Sequence, residues 1–149
     1  MTVDEPRVVE IYIPSELGFE KIAMVSAFAM AQKVGFPKER LEDLKTAVAE
    51  ACINAIEHGN SSRVDVKVLV ILKSDTNKVQ VNIIDNGDRP IPTSIPERSE
   101  RTDFRGMGML LIHYLMDEVK IKSEPGRNEI EMIIRLEQKP PSPSATLRS

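Results

Sequence analysis

A chain of 149 residues is long enough for one domain with a single hydrophobic core. The net charge of −3 and the mixing of both signs along the chain argue against a general nucleic-acid binder, which usually presents a basic face. The apolar runs are far too short to span a bilayer, and no charged segment followed by an apolar stretch opens the chain. We therefore expect a cytoplasmic protein.

The first elements in chain order are predicted to be a strand and a helix. Residues 7–13 alternate loosely between apolar and polar side chains and end at Pro14, which is typical of a strand. Ser15 is expected to cap a helix over residues 16–34, and Gly35 provides its stop signal.

A second helix is predicted to start around Pro37, which suits a first helical turn, and to end at Gly59. Its buried face is marked by apolar residues at three- and four-residue steps: Leu41, Leu44, Val48, Cys52 and Ala55. Cys52 is the only cysteine, so no disulfide can form within the chain. Because no basic residue lies beside it at helical spacing, we interpret Cys52 as a core residue rather than a nucleophile.

A hairpin is predicted to follow. Residues 64–72 form a β-branched run with alternating valines, residues 74–77 predict a turn, and residues 79–83 alternate again. The second of these strands ends at the Asp-Asn-Gly motif of residues 85–87. Residues 87–104 contain several prolines and many charges without any period, which is typical of a lid or binding loop.

The last third of the chain predicts a helix over residues 106–116 and two strands over residues 119–123 and 128–136. Residues 139–149 are rich in proline and serine and are expected to form a mobile tail. The folded domain should therefore cover residues 1–138.

Glu50 and Asn54 have the spacing of a combined metal and proton-transfer site. At about 100° per residue they lie only about 40° apart on the helix, away from the apolar stripe. The Asn54 carboxamide offers a neutral oxygen of the kind that Mg²⁺ accepts, and Glu50 could take a proton from an attacking hydroxyl or water. An ordinary polar pair on a solvated helix face is the alternative.

Asp85 and Gly87 follow the second hairpin strand. A carboxylate at a strand end can accept a hydrogen bond from an adenine amino group but not from a guanine carbonyl. Gly87, which lacks a Cβ, lets the backbone approach a base closely. A plain Asn-Gly turn is the alternative interpretation.

The glycine pair Gly106-x-Gly108 opens the predicted third helix. Unpaired amides and the positive end of the helix dipole make such a start a phosphate site. Arg105 adds guanidinium donors directed at the same place. Met107 and Met109 are interpreted as packing residues, and a flexible helix start is the alternative to a phosphate site.

Together, the three motifs resemble the nucleotide-binding boxes of the gyrase–histidine kinase ATPase superfamily (GHKL, Bergerat fold). The N box is matched by the sequence EACINAIEHG at residues 50–59, the adenine box by Asp-x-Gly at 85–87, and the phosphate box by Gly-x-Gly at 106–108. Within that superfamily, RGMG at 105–108 and LMDE at 115–118 are similar to bacterial anti-sigma factors that are also serine-protein kinases.

The resemblance covers roughly residues 8–136 and implies an α+β fold. This would be a two-layer sandwich in which helices cover one face of a mixed, mostly antiparallel sheet, with ATP and Mg²⁺ bound. Carried over by position, the resemblance makes Glu50 the general base, Asn54 the Mg²⁺ ligand and Asp85 the adenine anchor. The further nucleotide-binding positions that it implies are His58, Gly87, Arg105, Gly106, Met107, Gly108 and Met109.

The same resemblance implies protein partners and no direct contact with nucleic acid or membrane. The chain would bind a sigma factor and phosphorylate a serine of an anti-anti-sigma protein of the STAS type, and a homodimer is also expected. The adenine box departs from the family pattern at Arg89, where many members carry a second glycine. Since arginine and the proline after it stiffen this stretch, the departure bears on lid mobility and turnover.

Two alternatives share this site. A switch kinase would use every ATP-site residue but would activate a phosphatase instead of holding a sigma factor. A nucleotide-dependent binding module would leave Glu50 idle. A sensor histidine kinase is disfavoured, because His58 and His113 both fall inside the ATPase region and a separate histidine-bearing domain has no room.

Overall fold

The computed structural model describes residues 5–88, 90–91 and 104–136. Arg89, most of the expected lid and the expected tail lie outside the described residues. Within these residues, no helix has both the length and the apolar character that crossing a bilayer requires. The described elements follow in chain order: β1 (Arg7–Pro14), α1 (Glu20–Val34), α2 (Lys38–Asn54), a π-helical turn (Ala55–Gly59), β2 (Lys67–Ser74), β3 (Lys78–Asp85), α3 (Phe104–Leu115), β4 (Glu118–Glu124) and β5 (Arg127–Arg135).

The strands of the described part form one sheet in the order β1-β2-β3-β5-β4. A mixed sheet was expected, but each pairing between described strands is antiparallel. Alternate side chains of β2 are buried beneath the helices, as Val68, Val70 and Leu72 show. The predicted α+β architecture, with helices on one face of a sheet, is confirmed.

The core lies between the sheet and the helices α1 and α2. α1 buries Ala23, Ala27 and Ala31, whose small side chains let the helix lie close to its neighbours. The predicted apolar stripe of α2 is buried, and Cys52 is completely enclosed. Burial raises the pKa of the Cys52 thiol far above its ordinary value, with a smaller contribution from the charge of Glu20. The thiol is therefore a core group.

Ser15 does not cap α1, contrary to the prediction. α1 begins only at Glu20, after a turn through Gly18, whose φ of 109° lies in the left-handed region that favours glycine. Ser15 is instead fully buried, and its hydroxyl donates to the Val66 carbonyl. It thereby ties the end of β1 to the segment that precedes β2.

The prediction that a strand begins at residue 64 was wrong, because β2 begins at Lys67. The start is set by the neighbouring strand: β1 ends at Pro14, which is paired with Lys67, so residues 64–66 lie beyond that ladder. Ser61 and Ser62, with φ values of 53° and 55°, turn the chain before it enters the sheet.

Candidate nucleotide-binding site

Glu50 and Asn54 lie near the end of α2, where they face α3. An ideal Cβ placed on Gly108 would lie 2.9 Å from Glu50 Oε2 and 3.4 Å from Asn54 Nδ2. The shorter distance is closer than a real Cβ tolerates, so a side chain at residue 108 would displace the Glu50 carboxylate from its position beside α3. The N box and the phosphate box therefore meet where α2 contacts α3.

Asn54 carries a buried polar atom for which the described residues provide no hydrogen-bond partner. Its Nδ2 has no hydrogen-bond partner within the part of the chain that the structure describes. Such an orphan costs about 1–3 kcal/mol, and half a turn of the carboxamide would present its oxygen at the same place. The side chain thus fits the predicted role of an oxygen ligand for Mg²⁺.

The chain leaves α2 through the π-helical turn Ala55–Gly59, where an ordinary helix was predicted to continue. The N–H of Asn60 donates to the Ala55 carbonyl at 2.8 Å, which is the five-residue spacing of a π-helix. Single π turns inside or at the end of α-helices are frequent at functional sites. This one carries Gly59 against the side chain of Asp85.

Gly59 and Gly87 let the N box pack closely against the adenine box. An ideal Cβ on Gly59 would lie 2.2 Å from Cγ of Asp85, and one on Gly87 would lie 2.1 Å from the Gly59 carbonyl oxygen. Neither distance is possible for a real side chain. The close contact between the two motifs therefore requires glycine at both positions.

Asp85 is the last residue of β3 and is only 2% exposed. Its Oδ1 accepts hydrogen bonds from the Gly87 N–H at 2.9 Å and from Asn128 Nδ2 at 3.0 Å. Asn128 lies directly opposite on β5 and also donates to the Gly87 carbonyl at 3.1 Å. These contacts hold the carboxylate and the Gly87 backbone in one arrangement.

Asn128 is a site residue that the sequence reasoning missed. The buried face of β5 reads Asn128, Ile130, Met132 and Ile134. A polar side chain on an otherwise apolar strand face is a signal that it has a buried partner, because an unpaired polar group there is costly. Naming Asp85 as the partner, however, requires the β3–β5 register, which the sequence does not contain.

Asp85 and Asn54 line one narrow cavity between the helices and the sheet. Its free volume is about 10 Å³, roughly the space of one water molecule. An apolar cleft with a few convergent polar groups is the usual anatomy of a ligand site, although a nucleotide base enters this one only if the walls part. The other lining residues are Ala51, Ala55, Ile83, Ile91, Met109 and Ile130.

A family model described as "histidine kinase-like ATPase domain" matches residues 16–134. The chain belongs to this family. Its relatives include the "Serine-protein kinase RsbW" of Listeria innocua serovar 6a, which is 28% identical over 127 residues that cover 79% of this chain and 81% of the relative. The protein of the same name from Bacillus velezensis is 29% identical over 79% of each chain. The predicted resemblance to serine-protein kinases of this superfamily is confirmed.

Two solved structures share the fold. The crystal structure of the RsbU and RsbW domains of Rv1364c from Mycobacterium tuberculosis matches with a TM-score of 0.66 and 17% identity, over 87% of this chain and 32% of that longer one. The SiaB–SiaC complex from Pseudomonas aeruginosa matches with a TM-score of 0.58 and 12% identity, over 85% of this chain and 89% of that one. At such identities the likeness supports the fold alone.

Of the other predicted nucleotide-binding residues of this histidine kinase-like ATPase domain, some line the cavity and others do not. Met109 is 1% exposed and lines the cavity with Asp85, whereas Met107 is 52% exposed and does not line it. His58 is half-buried in the π-helical turn and is not among the lining residues either. Packing thus explains Met109, while the roles predicted for Met107 and His58 stay predictions.

The phosphate box lies within α3 rather than at its first residue. α3 begins at Phe104, so Arg105, Gly106 and Gly108 fall within its first turns. The side chain of Arg105 lies outside the described structure. Gly108, through its contact with Glu50, is the residue that anchors this box to the rest of the site.

A second cavity, of about 620 Å³, lies between β1 and α1 and extends to the β2–β3 turn. Val9, Met30 and Leu72 give it an apolar wall. It exceeds the candidate site in volume, yet none of the three boxes contributes to it. The candidate site is therefore assigned from the three boxes and their converging polar groups, and not from cavity volume.

Proposed function

We propose that this chain is an ATP-dependent serine-protein kinase that holds a sigma factor and phosphorylates a serine of an anti-anti-sigma partner. The observation that carries the proposal is the convergence of Glu50, Asn54 and Gly108 at the contact of α2 with α3. The relatives named as serine-protein kinases support the activity. The two partners are proposed from the motifs RGMG and LMDE, which resemble those of bacterial anti-sigma kinases.

ATP is the substrate in this proposal, and each of the three boxes has a part in binding it. Asp85 would accept a hydrogen bond from the adenine amino group, Asn54 would supply an oxygen to Mg²⁺, and the amides in the first turn of α3, at the phosphate box, would donate to the phosphates. Mg²⁺, when bound, neutralises the charge of the phosphates. A guanine would present a carbonyl oxygen to Asp85, so the site selects ATP over GTP.

Glu50 is the general base of the proposed reaction. Phosphoryl transfer depends mainly on positioning and charge stabilisation, with one residue orienting the nucleophile. Glu50 takes the proton of the partner's serine hydroxyl while the serine oxygen bonds to the γ-phosphorus and the bond to ADP breaks. The half-buried position of Glu50 beside Gly108 and Asn54 supports this assignment.

The test combines phosphotransfer with partner capture. The purified chain, labelled ATP and Mg²⁺ are incubated with a candidate anti-anti-sigma protein, and sigma factors are captured on the chain in the presence of ADP or ATP. The proposal expects label on a partner serine and a captured sigma factor. Phosphorylation with activation of a phosphatase but no sigma capture would establish the switch kinase instead. ATP binding without any label would establish a binding module.

A homodimer is part of the proposal, because the resemblance to these kinases implies one. Light scattering on the purified chain should give twice the monomer mass. A monomer at all concentrations up to those used in the capture assay would contradict this part alone.

A further inference from the structure

Asn60, the residue after the π-helical turn, is only 2% exposed and uses its whole carboxamide in hydrogen bonds. Its Oδ1 accepts the N–H of Asn86 at 2.8 Å. Its Nδ2 donates to the Lys67 carbonyl at 3.2 Å and to Ser15 Oγ at 3.0 Å. One side chain therefore joins the ends of β1 and β3 and the start of β2.

This carboxamide lies where the hydrogen-bonded ladder between β2 and β3 would continue. The last paired residues at this end are Leu69 and Ile84. Two residues further along the same register, Lys67 would stand opposite Asn86. The carboxamide of Asn60 lies between these two residues, accepting from one backbone and donating to the other. It acts as a peptide group that replaces one rung and keeps both backbone groups satisfied.

The replaced rung includes the middle residue of the adenine box, Asn86. Asn86 separates Asp85 from Gly87, so the hydrogen bond from its N–H fixes the backbone between them. The contact of Gly87 with Gly59 and the hydrogen bonds from Asn128 fix the same segment from the other side. The direction of the Asp85 carboxylate therefore depends on Asn60 as well as on Asn128.

We propose that Asn60 is a positioning residue for adenine recognition: its carboxamide holds the Asn86 backbone and thereby orients Asp85. The proposal rests on the proposed function, in which Asp85 is the adenine anchor. Asn60 does not touch the base itself, and it acts through the backbone of the adenine box.

Ser15 offers a matched control within the same network. It is fully buried and contacts Asn60 on the Nδ2 side, away from Asn86. Ser15→Ala therefore removes two hydrogen bonds, the one donated to the Val66 carbonyl and the one accepted from Asn60 Nδ2, while the bond between Asn60 and Asn86 remains. Val79→Ala, a truncation in the core at the far end of β3, provides a second variant of lower stability.

The experiment measures calorimetric affinities for Mg-ATP and Mg-GTP together with urea unfolding. Asn60→Ala should bind ATP about tenfold more weakly, which corresponds to about 1.4 kcal/mol, with GTP affinity almost unchanged. The preference for ATP then falls by the same factor. Asn60→Asp keeps the acceptor for Asn86 and should retain the preference within about threefold. Ser15→Ala and Val79→Ala should lose stability and keep the preference.

A folded Asn60→Ala protein with the wild-type ratio of ATP to GTP affinity overturns the proposal and makes Asn60 purely structural. Equal losses of the preference in all the destabilised variants overturn it as well. If Asn60→Ala does not fold, Asn60→Ser decides: its small polar side chain lacks the carbonyl oxygen that accepts the Asn86 N–H, and the same loss of preference is expected.

Asp85→Asn in the same assay separates this proposal from the proposed function. If Asp85→Asn leaves ATP affinity unchanged, the adenine anchor itself is wrong, and the positioning role fails with it. If Asp85→Asn weakens ATP binding and Asn60→Ala does not, only the positioning role fails.

Discussion

The two ends of the sheet differ in what lies between it and the helices. At the end where β3 finishes, Asp85 and Asn128 are buried polar groups that bond across strands, beside a cavity that holds about one water molecule. At the other end, Val9, Met30 and Leu72 line an open apolar cavity of about 620 Å³. The first end is tightly packed around a few buried polar groups, and the second has an open cavity with an apolar wall.

This difference separates the residues that determine binding from those that determine stability. Apolar burial has no direction and contributes stability in proportion to the area removed from water. Buried polar groups contribute little net stability, but their partners fix their geometry. Substitutions at the polar end should therefore change nucleotide affinity more than stability, and substitutions at the apolar end should do the reverse.

The largest effect is expected at the apolar end. Leu72 is 1% exposed, and Leu72→Ala should lower the free energy of unfolding by about 2–5 kcal/mol, because it removes a buried side chain and leaves a void. The affinity for Mg-ATP should stay within about twofold of wild type, a change of about 0.4 kcal/mol. Urea unfolding and calorimetry measure the two quantities. A large loss of affinity in a folded protein would remove the distinction between the two ends.

Asn54→Ala should show the opposite pattern at the polar end. Mg²⁺-dependent nucleotide affinity should fall about 100-fold, or about 2.7 kcal/mol, because an oxygen ligand is lost. Stability should be unchanged or slightly higher, since the variant removes a buried Nδ2 atom without a described partner and alanine favours the helix. Thr46→Ala, at an exposed position of the same helix, is the control. Melting many degrees below wild type would show that Asn54 is structural.

Asp85→Asn tests whether the polar end of the sheet recognises adenine. The carboxamide keeps the size of the side chain but loses the charged acceptor, so ATP affinity should fall by about 1.5–3 kcal/mol. GTP affinity should change little, which narrows the difference between the two nucleotides. Calorimetry with both nucleotides measures the effect. Equal affinities of the wild-type protein for ATP and GTP would refute the adenine assignment.

The sequence was sufficient for features that depend on local spacing. The four-residue separation of Glu50 and Asn54 predicted that both would face the same side, and α3 indeed meets them there. The period-two pattern of β2 and β3 predicted a hairpin, and the two strands pair in the antiparallel direction as expected. These features arise from helix and strand geometry, which short segments of sequence already contain.

Features that depend on distant parts of the chain could not be predicted in the same way. The bond from Asn128 to Asp85 depends on the β3–β5 register, and the rung formed by Asn60 depends on where β2 starts. Serine is a residue type that often caps helices, but the hydroxyl of Ser15 donates to the carbonyl of Val66, which is distant in the sequence. In each case a polar side chain was visible in the sequence and its partner was not.

The most direct test of the central claim is single-turnover phosphorylation of the anti-anti-sigma partner by Glu50→Gln. The substitution keeps the size of the side chain beside Gly108 and removes its ability to accept a proton. The phosphorylation rate should fall by about 10²–10⁴-fold, the usual effect of losing a general base. ATP affinity and sigma capture should be retained. Glu57→Gln, an exposed glutamate of the adjoining π-helical turn, should keep the wild-type rate. A wild-type rate in Glu50→Gln would contradict the catalytic role of Glu50.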